Sequence, residues 1–286
     1  MVSKRVATET GVKVALGVGA ATNIEVTVAA DQAERVKLLY AHFESTARAA
    51  MHTDWLDSGS AHYGECVEAA LFTEFAAEQS ERESAEDADA KAAATAVAAA
   101  LFVAFDKKYC GEEDIHVCVD RLELENGHAE TVLRGYYKAQ SVYLRSSGSV
   151  TKTRALKPAL FGTAGHRLLG MFGGQGGVDN YIEETRMLYA TYRPLVSDYV
   201  ACMSEFLQQE AGEAAFSQVY RKGLDVVAWL ESDEEVPDQE YMLSVPVSIP
   251  VVGLTQLMQV MVLFKTLGIS PGELASSFEA NTYMAK

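Results

Sequence analysis

One glycine-rich stretch restricts the possible folds of this chain more than any other feature. The apolar run Leu168–Phe172 leads into Gly173-Gly174-Gln175-Gly176-Gly177, and a helix-like pattern follows from Asn180. Glycine permits positive φ angles and lets a ligand approach the backbone closely. Several N–H groups of such a turn can point to one place, which suits a negative charge. The stretch therefore predicts a strand, a tight turn and a capped helix around an anion or oxyanion site.

The residues of the turn permit four interpretations. A dinucleotide-binding turn is disfavoured because the spacing is not Gly-x-Gly-x-x-Gly and no acidic residue ends a second strand about twenty residues later. The Gly-Gly-Gln motif of translation release factors is disfavoured because RNA-binding proteins need a basic surface, whereas this chain has a net charge of −16. An oxyanion-forming turn of an acyltransferase and a purely structural strand-to-helix turn both remain open.

The acidic composition excludes several classes of partner. The chain has 24 Lys and Arg residues against 40 Asp and Glu residues, which disfavours binding to nucleic acid or to an anionic membrane. Its first residues lack the apolar stretch of a secretory signal. Pro246, Pro250 and Lys265 interrupt the most apolar segment, Val245 to Leu267, so we predict a buried helix there rather than a membrane span. We expect a cytoplasmic protein with no nucleic-acid or membrane partner.

The cysteines and histidines show no spacing typical of a metal or catalytic site. Cys66, Cys110, Cys118 and Cys202 include no Cys-x-x-Cys pair, so we expect buried thiols in a reducing compartment and no metal site. None of the six histidines stands at a recognisable spacing from a serine or cysteine, and we interpret them as surface or packing residues. They are His42, His52, His62, His116, His128 and His166.

Hydrophobic periodicity predicts a mostly helical first half. Ile24–Val28 alternates like a strand, and Asp31 with Glu34 has the spacing of a capping box at the start of a helix. The acidic run from Glu78 to Asp89 is interpreted as a solvated surface loop. Further helices are predicted at His62 to Ala77, Ala90 to Tyr109, Asp114 to Leu124 and Glu130 to Leu144.

A linker-like run divides the chain into two predicted parts. The serine- and glycine-rich stretch from Ser146 to Ser149 places a boundary near residue 150, between parts 1–150 and 151–286. In the second part, one helix is predicted from Asn180, with Glu183 at capping-box spacing, and a second from Pro194 to Glu210. Short helices are predicted between Phe216 and Trp229, and a buried helix from Pro250 to Leu267.

The residues around and after the glycine turn resemble a known family. The stretch 168–192 resembles the start of the acetyltransferase domain of fungal type I fatty acid synthase β subunits. The resemblance continues, in the family's order, through 223–231, 237–248 and 267–274. The first half resembles the same subunit more weakly, chiefly in 24–43 and 105–117. Starter-unit acyltransferase domains of fungal polyketide pathways are the nearest alternative.

The resemblance implies a fold, an activity and a set of partners. The fold would be α/β but predominantly helical in these residues: a helical region, 1–150, precedes the first part of a malonyl/acetyl-transferase-like, α/β hydrolase-type domain, 151–286. The family moves acetyl from coenzyme A to the phosphopantetheine thiol of an acyl carrier protein, with no covalently bound cofactor, within a complex of synthase α and β subunits. Gln175 would supply an oxyanion-hole amide, and Gly173, Gly174 and Gly176 would shape the substrate-binding turn.

The sequence departs from the family at the nucleophile. The family's serine lies in Gly-His-Ser-Gln-Gly shortly after Pro-Gly-Glu-Leu, and a distant histidine activates it. Here Pro271-Gly272-Glu273-Leu274 is followed by twelve residues without that motif, and Ala285 stands at the serine's position. We therefore expect a truncated acyltransferase that is inactive alone, or else a non-catalytic assembly piece of a fatty acid or polyketide synthase.

Overall fold

The chain divides into two units, residues 1–151 and 152–286, which are described separately. A computed structural model describes residues 11–18, 22–48, 61–83, 87–124, 126–147, 181–232 and 236–268. The predominantly helical character predicted from the sequence is confirmed in these ranges. The strand predicted before the glycine turn lies outside them, and no strand is found in the described part of the second unit.

An antiparallel hairpin opens the described part of the first unit. Strand β1, Val12–Val18, pairs with β2, Thr22–Val28, with Val14 opposite Val26. The strand predicted at Ile24–Val28 is thus confirmed, whereas β1 was not predicted. Its Val14 and Leu16 are buried and alternate with exposed neighbours, which is the period of a half-buried strand.

Five α-helices make up most of the other described residues of the first unit, and three of them build its core. Helices α2, α3 and α5 pack against one another, β2 lies on α3, and α1 lies on β1. The longer predicted helices are confirmed, with bounds that differ by a few residues. The helices are α1 Ala33–Phe43, α2 Ala61–Arg82, α3 Ala88–Phe105, α4 Ile115–Arg121 and α5 Asn126–Ser147.

The surface loop predicted for the acidic run is wrong at both ends. Helix α2 continues to Arg82 and α3 begins at Ala88, so only a short connection separates them. Cations of α5 stabilise the acidic end of α2: Lys138 pairs with Glu78 at 2.7 Å, and Arg145 with Glu81 at 2.7 Å. The sequence run shows the carboxylates but not the partner helix that neutralises them.

The capping box predicted at Asp31 is also wrong. Ala30–Gln32 form a 3₁₀ turn that continues into α1, and no side chain caps either helix. The N–H of Gln32 donates to the carbonyl of Ala29 at 2.9 Å. A backbone carbonyl therefore takes the place of the side-chain acceptor that the capping box would supply. Side-chain caps are present instead on α3, from Asp87, and on α4, from Asp114.

The described part of the second unit contains four helices around one apolar core. Helix α6 runs through Tyr181–Ala211 but breaks at Tyr192 (φ −113°, ψ 22°), because Pro194 cannot donate a hydrogen bond and its ring crowds the preceding turn. The predicted end of a helix before this proline corresponds to the break. The other helices are α7 Val226–Glu231, α8 Gln239–Leu243 and α9 Val245–Leu267. The core includes Val196, Val200, Trp229, Val247, Val251 and Met258.

Helix α9 begins five residues earlier than predicted and contains a proline. Pro250 has no N–H to donate to the carbonyl of Pro246, and the Tyr220 hydroxyl donates to that carbonyl at 3.4 Å instead. By length and composition, α9 and the segment Ala88–Cys110 could each cross a membrane. Both pack within their units, α9 against α6 and α3 against α2 and α5, so we interpret them as core helices.

Candidate functional site

The predicted site residues precede the described start of helix α6. Gly173, Gly174, Gln175 and Gly176 lie outside the described residues, as does Asn180 of the predicted capping box. Tyr181, the first residue of α6, follows Asn180 directly. The described geometry therefore concerns helix α6, which follows the glycine-rich stretch in the sequence, and the residues that anchor this helix.

Tyr181 anchors the first turn of α6 in the core. Its side chain is buried, and its hydroxyl donates a hydrogen bond of 2.8 Å to the carbonyl of Met242 at the end of α8. Burial raises the pKa of Tyr181 to about 12, because the phenolate would lose its hydration. The hydroxyl thus keeps its proton and remains a donor at neutral pH.

A buried pair of hydroxyls joins the next turn of α6 to α9. The Oγ1 atoms of Thr185 and Thr255 lie 2.6 Å apart, and either can be the donor. Each also lies within hydrogen-bond distance of a carbonyl one turn earlier in its own helix, Tyr181 at 2.6 Å and Val251 at 2.9 Å. The two hydroxyl groups can donate two of these three hydrogen bonds at a time, so each group has a partner without water. Together they fix the separation of α6 and α9.

Arg186 joins α6 to the C-terminal end of α7. Its Nε and Nη2 donate to the carbonyl of Trp229 at 2.9 and 2.7 Å, and Nη2 also donates to the carbonyl of Ser232 at 3.1 Å. A guanidinium group at this helix end compensates carbonyls that have no partner within the helix. Tyr189 adds a second link, donating to Glu231 at 3.1 Å.

The first turn of α6 carries two carboxylates. Glu183 and Glu184 lie in the first turn, and Gln259 of α9 donates to Glu184 at 2.9 Å. Two carboxylates already compensate the positive end of the helix dipole and repel a phosphate or diphosphate group.

None of these anchoring residues was predicted from the sequence. Thr185 and Thr255 are seventy positions apart, and each is an ordinary polar residue in a helical pattern. The only signal for Arg186 was a cation one turn into an apolar helix, which does not identify the carbonyls of α7 as its partners. Contacts of this kind are determined by the packing of distant helices.

Two of the described histidines have hydrogen-bond partners in the first unit. His116 Nδ1 lies 2.7 Å from Asp114, and His128 Nδ1 lies 2.5 Å from the hydroxyl of Tyr63. His52 and His166 lie outside the described residues. Three cysteines are buried as predicted, but Cys202 is exposed, because α6 turns it away from the core.

Comparison with known proteins decides the family. No protein-family model matches the chain. The fatty acid synthase β subunit of Saccharomyces cerevisiae is 33% identical over 183 residues, which is 62% of this chain and 9% of the yeast protein. The Schizosaccharomyces pombe subunit is 35% identical over 176 residues, covering 62% and 8% of the two chains. A β subunit of Emericella nidulans is 36% identical over 170 residues, covering 59% and 8%.

The chain is a homologue of fungal fatty acid synthase β subunits. The family predicted from the sequence motifs is thereby confirmed. This β-subunit homologue spans less than a tenth of the length of the curated relatives it matches. Which activity of so long a protein belongs to these residues is a separate question.

Proposed function

We propose that the β-subunit homologue forms part of an acyl-transfer centre in cytoplasmic fatty acid synthesis. The centre would load acetyl, or another starter acyl group, from coenzyme A onto the phosphopantetheine of an acyl carrier protein, with no covalently bound cofactor. One observation carries this proposal: in a homologue of synthase β subunits, the glycine-rich stretch 173–177 comes shortly before a helix in which Tyr181 and Thr185 are hydrogen-bonded to α8 and α9.

Each partner in the reaction would have a defined chemical role. A serine oxygen attacks the thioester carbonyl, the coenzyme A thiolate leaves, and the carrier thiol then takes the acyl group from the serine. The N–H of Gln175 would stabilise the oxyanion of each tetrahedral intermediate. These 286 residues contain no Gly-His-Ser-Gln-Gly motif, so the serine nucleophile would come from residues outside them. This polypeptide would therefore not transfer acyl groups alone.

The electrostatics of α6 support an oxyanion site over a site for a small anionic ligand. The carboxylates of Glu183 and Glu184 oppose a stable anion at the helix start. An oxyanion that exists only in the reaction can still be stabilised by a backbone N–H pointing at its position. A thermal shift with inorganic phosphate would favour the competing interpretation.

Inactivity of the isolated polypeptide is tested by acetyl transfer. Radiolabelled acetyl-coenzyme A and a fungal acyl carrier domain are incubated with the purified chain, and label on the carrier is counted. We expect no transfer above the uncatalysed rate. Substantial transfer would show that a nucleophile within the 286 residues suffices.

The role of Gln175 is tested in an active context. The matching segment of the Saccharomyces cerevisiae β subunit is replaced by residues 168–267, and the acetyl-transfer rate of the chimera is measured. Gln175→Pro removes the N–H and is expected to lower kcat by about 10²–10³, the cost of one oxyanion donor. Gln175→Ala keeps the N–H and serves as the matched control. Equal rates in the two variants, with equal melting temperatures, would contradict the proposed role.

An assembly role is the second candidate, and exposed apolar residues on α9 favour it. Val245, Ile249 and Leu257 are 57%, 54% and 50% exposed. Apolar surface of this kind on one helix is typical of a face that packs against further protein. Co-purification with synthase α or β chains would support this candidate, whereas a monodisperse monomer that binds neither chain would count against it.

A further inference from the structure

Two serines of the sequence have an acidic residue at both the first and the third following position. They are Ser80, in the run 80–83, Ser-Glu-Arg-Glu, and Ser232, in the run 232–235, Ser-Asp-Glu-Glu. Carboxylates placed in this way after a hydroxyl are typical of substrates of acidophilic protein kinases, whose basic substrate groove attracts them. The sequence alone does not distinguish between the two serines.

The fold buries the hydroxyl of Ser80. This serine lies inside helix α2, is 3% exposed, and donates through its hydroxyl to the carbonyl of Ala77 at 2.7 Å. A protein kinase must place the acceptor hydroxyl in line with the γ-phosphate of ATP and beside its own catalytic aspartate. Helix α2 would have to unfold locally before Ser80 could reach that position.

The fold leaves the hydroxyl of Ser232 accessible. This serine ends α7, is partly exposed, and has an extended backbone (φ −142°, ψ 130°). Its N–H donates to the carbonyl of Ala228 at 3.0 Å, and its carbonyl accepts from Arg186 at 3.1 Å. These bonds use the backbone only, and within the described residues the Ser232 hydroxyl has no hydrogen-bond partner.

The guanidinium group of Arg186 would lie next to a phosphate on Ser232. It already contacts the carbonyl of the same residue, and the Arg186 side chain is only 16% exposed. A phosphate accepts charge-assisted hydrogen bonds from arginine, which are stronger than those to a neutral carbonyl. The neighbouring Glu231, which would repel a phosphate, is paired with Arg193. The folded chain therefore offers a cation for the modified side chain.

We propose that Ser232 is a phosphorylation site for an acidophilic serine/threonine protein kinase. The serine oxygen attacks the γ-phosphorus of ATP, an O–P bond forms, and the bond from that phosphorus to the bridging oxygen breaks. The hydroxyl proton passes to the catalytic aspartate of the kinase, and ADP leaves. Residues 233–235, which lie outside the described ranges, contribute their negative charge to recognition by the kinase. The site does not depend on the proposed acyl transfer.

Phosphorylation of the full chain by casein kinase 2, an acidophilic kinase, tests the site directly. The chain is incubated with the kinase and ATP, and tandem mass spectrometry locates and counts the phosphoryl groups. We expect Ser232 to approach one phosphate per chain and Ser80 to remain unmodified. The synthetic peptides 226–237 and 74–83 each contain one of the two serines without the fold, so we expect the kinase to label both.

Two variants separate the acceptor from its recognition. Ser232→Ala should remove the label, and Glu235→Gln should slow labelling of Ser232 by about tenfold, because the kinase loses one charged contact. The inference is overturned if Ser232 of the full chain stays unmodified while peptide 226–237 is labelled, or if Ser80 of the full chain is labelled as fast as Ser232. The wild-type chain alone distinguishes these results, so the test does not depend on the folding of any variant.

Discussion

Replacing Gly135 by alanine tests the closest backbone approach between α2 and α5. A Cβ atom at this position would lie 2.5 Å from the carbonyl oxygen of Ala70 and 3.1 Å from its carbonyl carbon. Both atoms belong to the backbone of α2, so no side-chain rotation can relieve the clash. The two helices would have to move apart along an interface that also contains the ion pair between Glu74 and Arg134, at 2.7 Å.

The expected loss of stability follows from two opposing effects. Alanine raises helix propensity by about 1 kcal/mol over glycine, while overpacking of a tight interface costs about 1–3 kcal/mol. Because backbone meets backbone here, we expect the upper part of that range and a net loss of about 2 kcal/mol in the unfolding free energy. Gly127→Ala, on the same helix, is the matched control: a Cβ there meets nothing within 4 Å, so stability should stay equal or rise.

Hydrogen exchange with mass spectrometry reports the first unit without interference from the second. A loss of about 2 kcal/mol lowers the protection of core amides in α2 and α5 by roughly 30-fold, since 1.36 kcal/mol is a factor of ten. Protection in Gly127→Ala should equal or exceed that of the wild type. Equal protection in the two variants would refute the close approach of α2 and α5 at this glycine.

Three further predictions concern the frame of the second unit. Burial raises the pKa of Tyr181 to about 12 from an ordinary value near 10. The contribution of its buried, protonated hydroxyl to the free energy of unfolding is therefore complete below pH 10 and is lost as the pH rises towards 12. The unfolding free energy from urea titration should therefore fall over this range, and less steeply in Tyr181→Phe; an unchanged slope would contradict the assignment. In a double-mutant cycle of Thr185→Val and Thr255→Val, the coupling energy should be about 1 kcal/mol, and additivity would argue against the buried pair. Arg186→Lys, which lacks the planar guanidinium fork that bonds the carbonyls of Trp229 and Ser232, should speed amide exchange at the end of α7 by about tenfold, a difference of roughly 1.4 kcal/mol; an unchanged rate would count against this contact.

The predictions from the sequence succeeded where the signal was local. Apolar periodicity and alanine content identified α3 and α5, and the proline rule located the break in α6 before Pro194. The missed strand β1 alternates clearly in Val12, Val14, Leu16 and Val18, but small residues around it hid the pattern. The family was recognised because several short motifs keep their order, a property of the sequence that needs no coordinates.

The sequence could not show which distant residues would meet. The acidic end of α2 is helical and pairs with Lys138 and Arg145 of α5, which are about sixty positions away. Long-range pairs of this kind depend on how helices pack, which a local pattern does not encode.

The glycine-rich stretch and the helix after it show the same division between what local sequence determines and what helix packing determines. The sequence by itself determined that Gly173–Gly177 stands between an apolar run and a helix, and its motifs determined the family, because backbone freedom and motif order are local properties. Only the tertiary structure decided how that helix is held: Tyr181 reaches the end of α8, and Thr185 meets Thr255 of α9. These contacts join segments sixty and more residues apart, and they form because one apolar core brings the helices close enough for buried hydroxyls to satisfy one another.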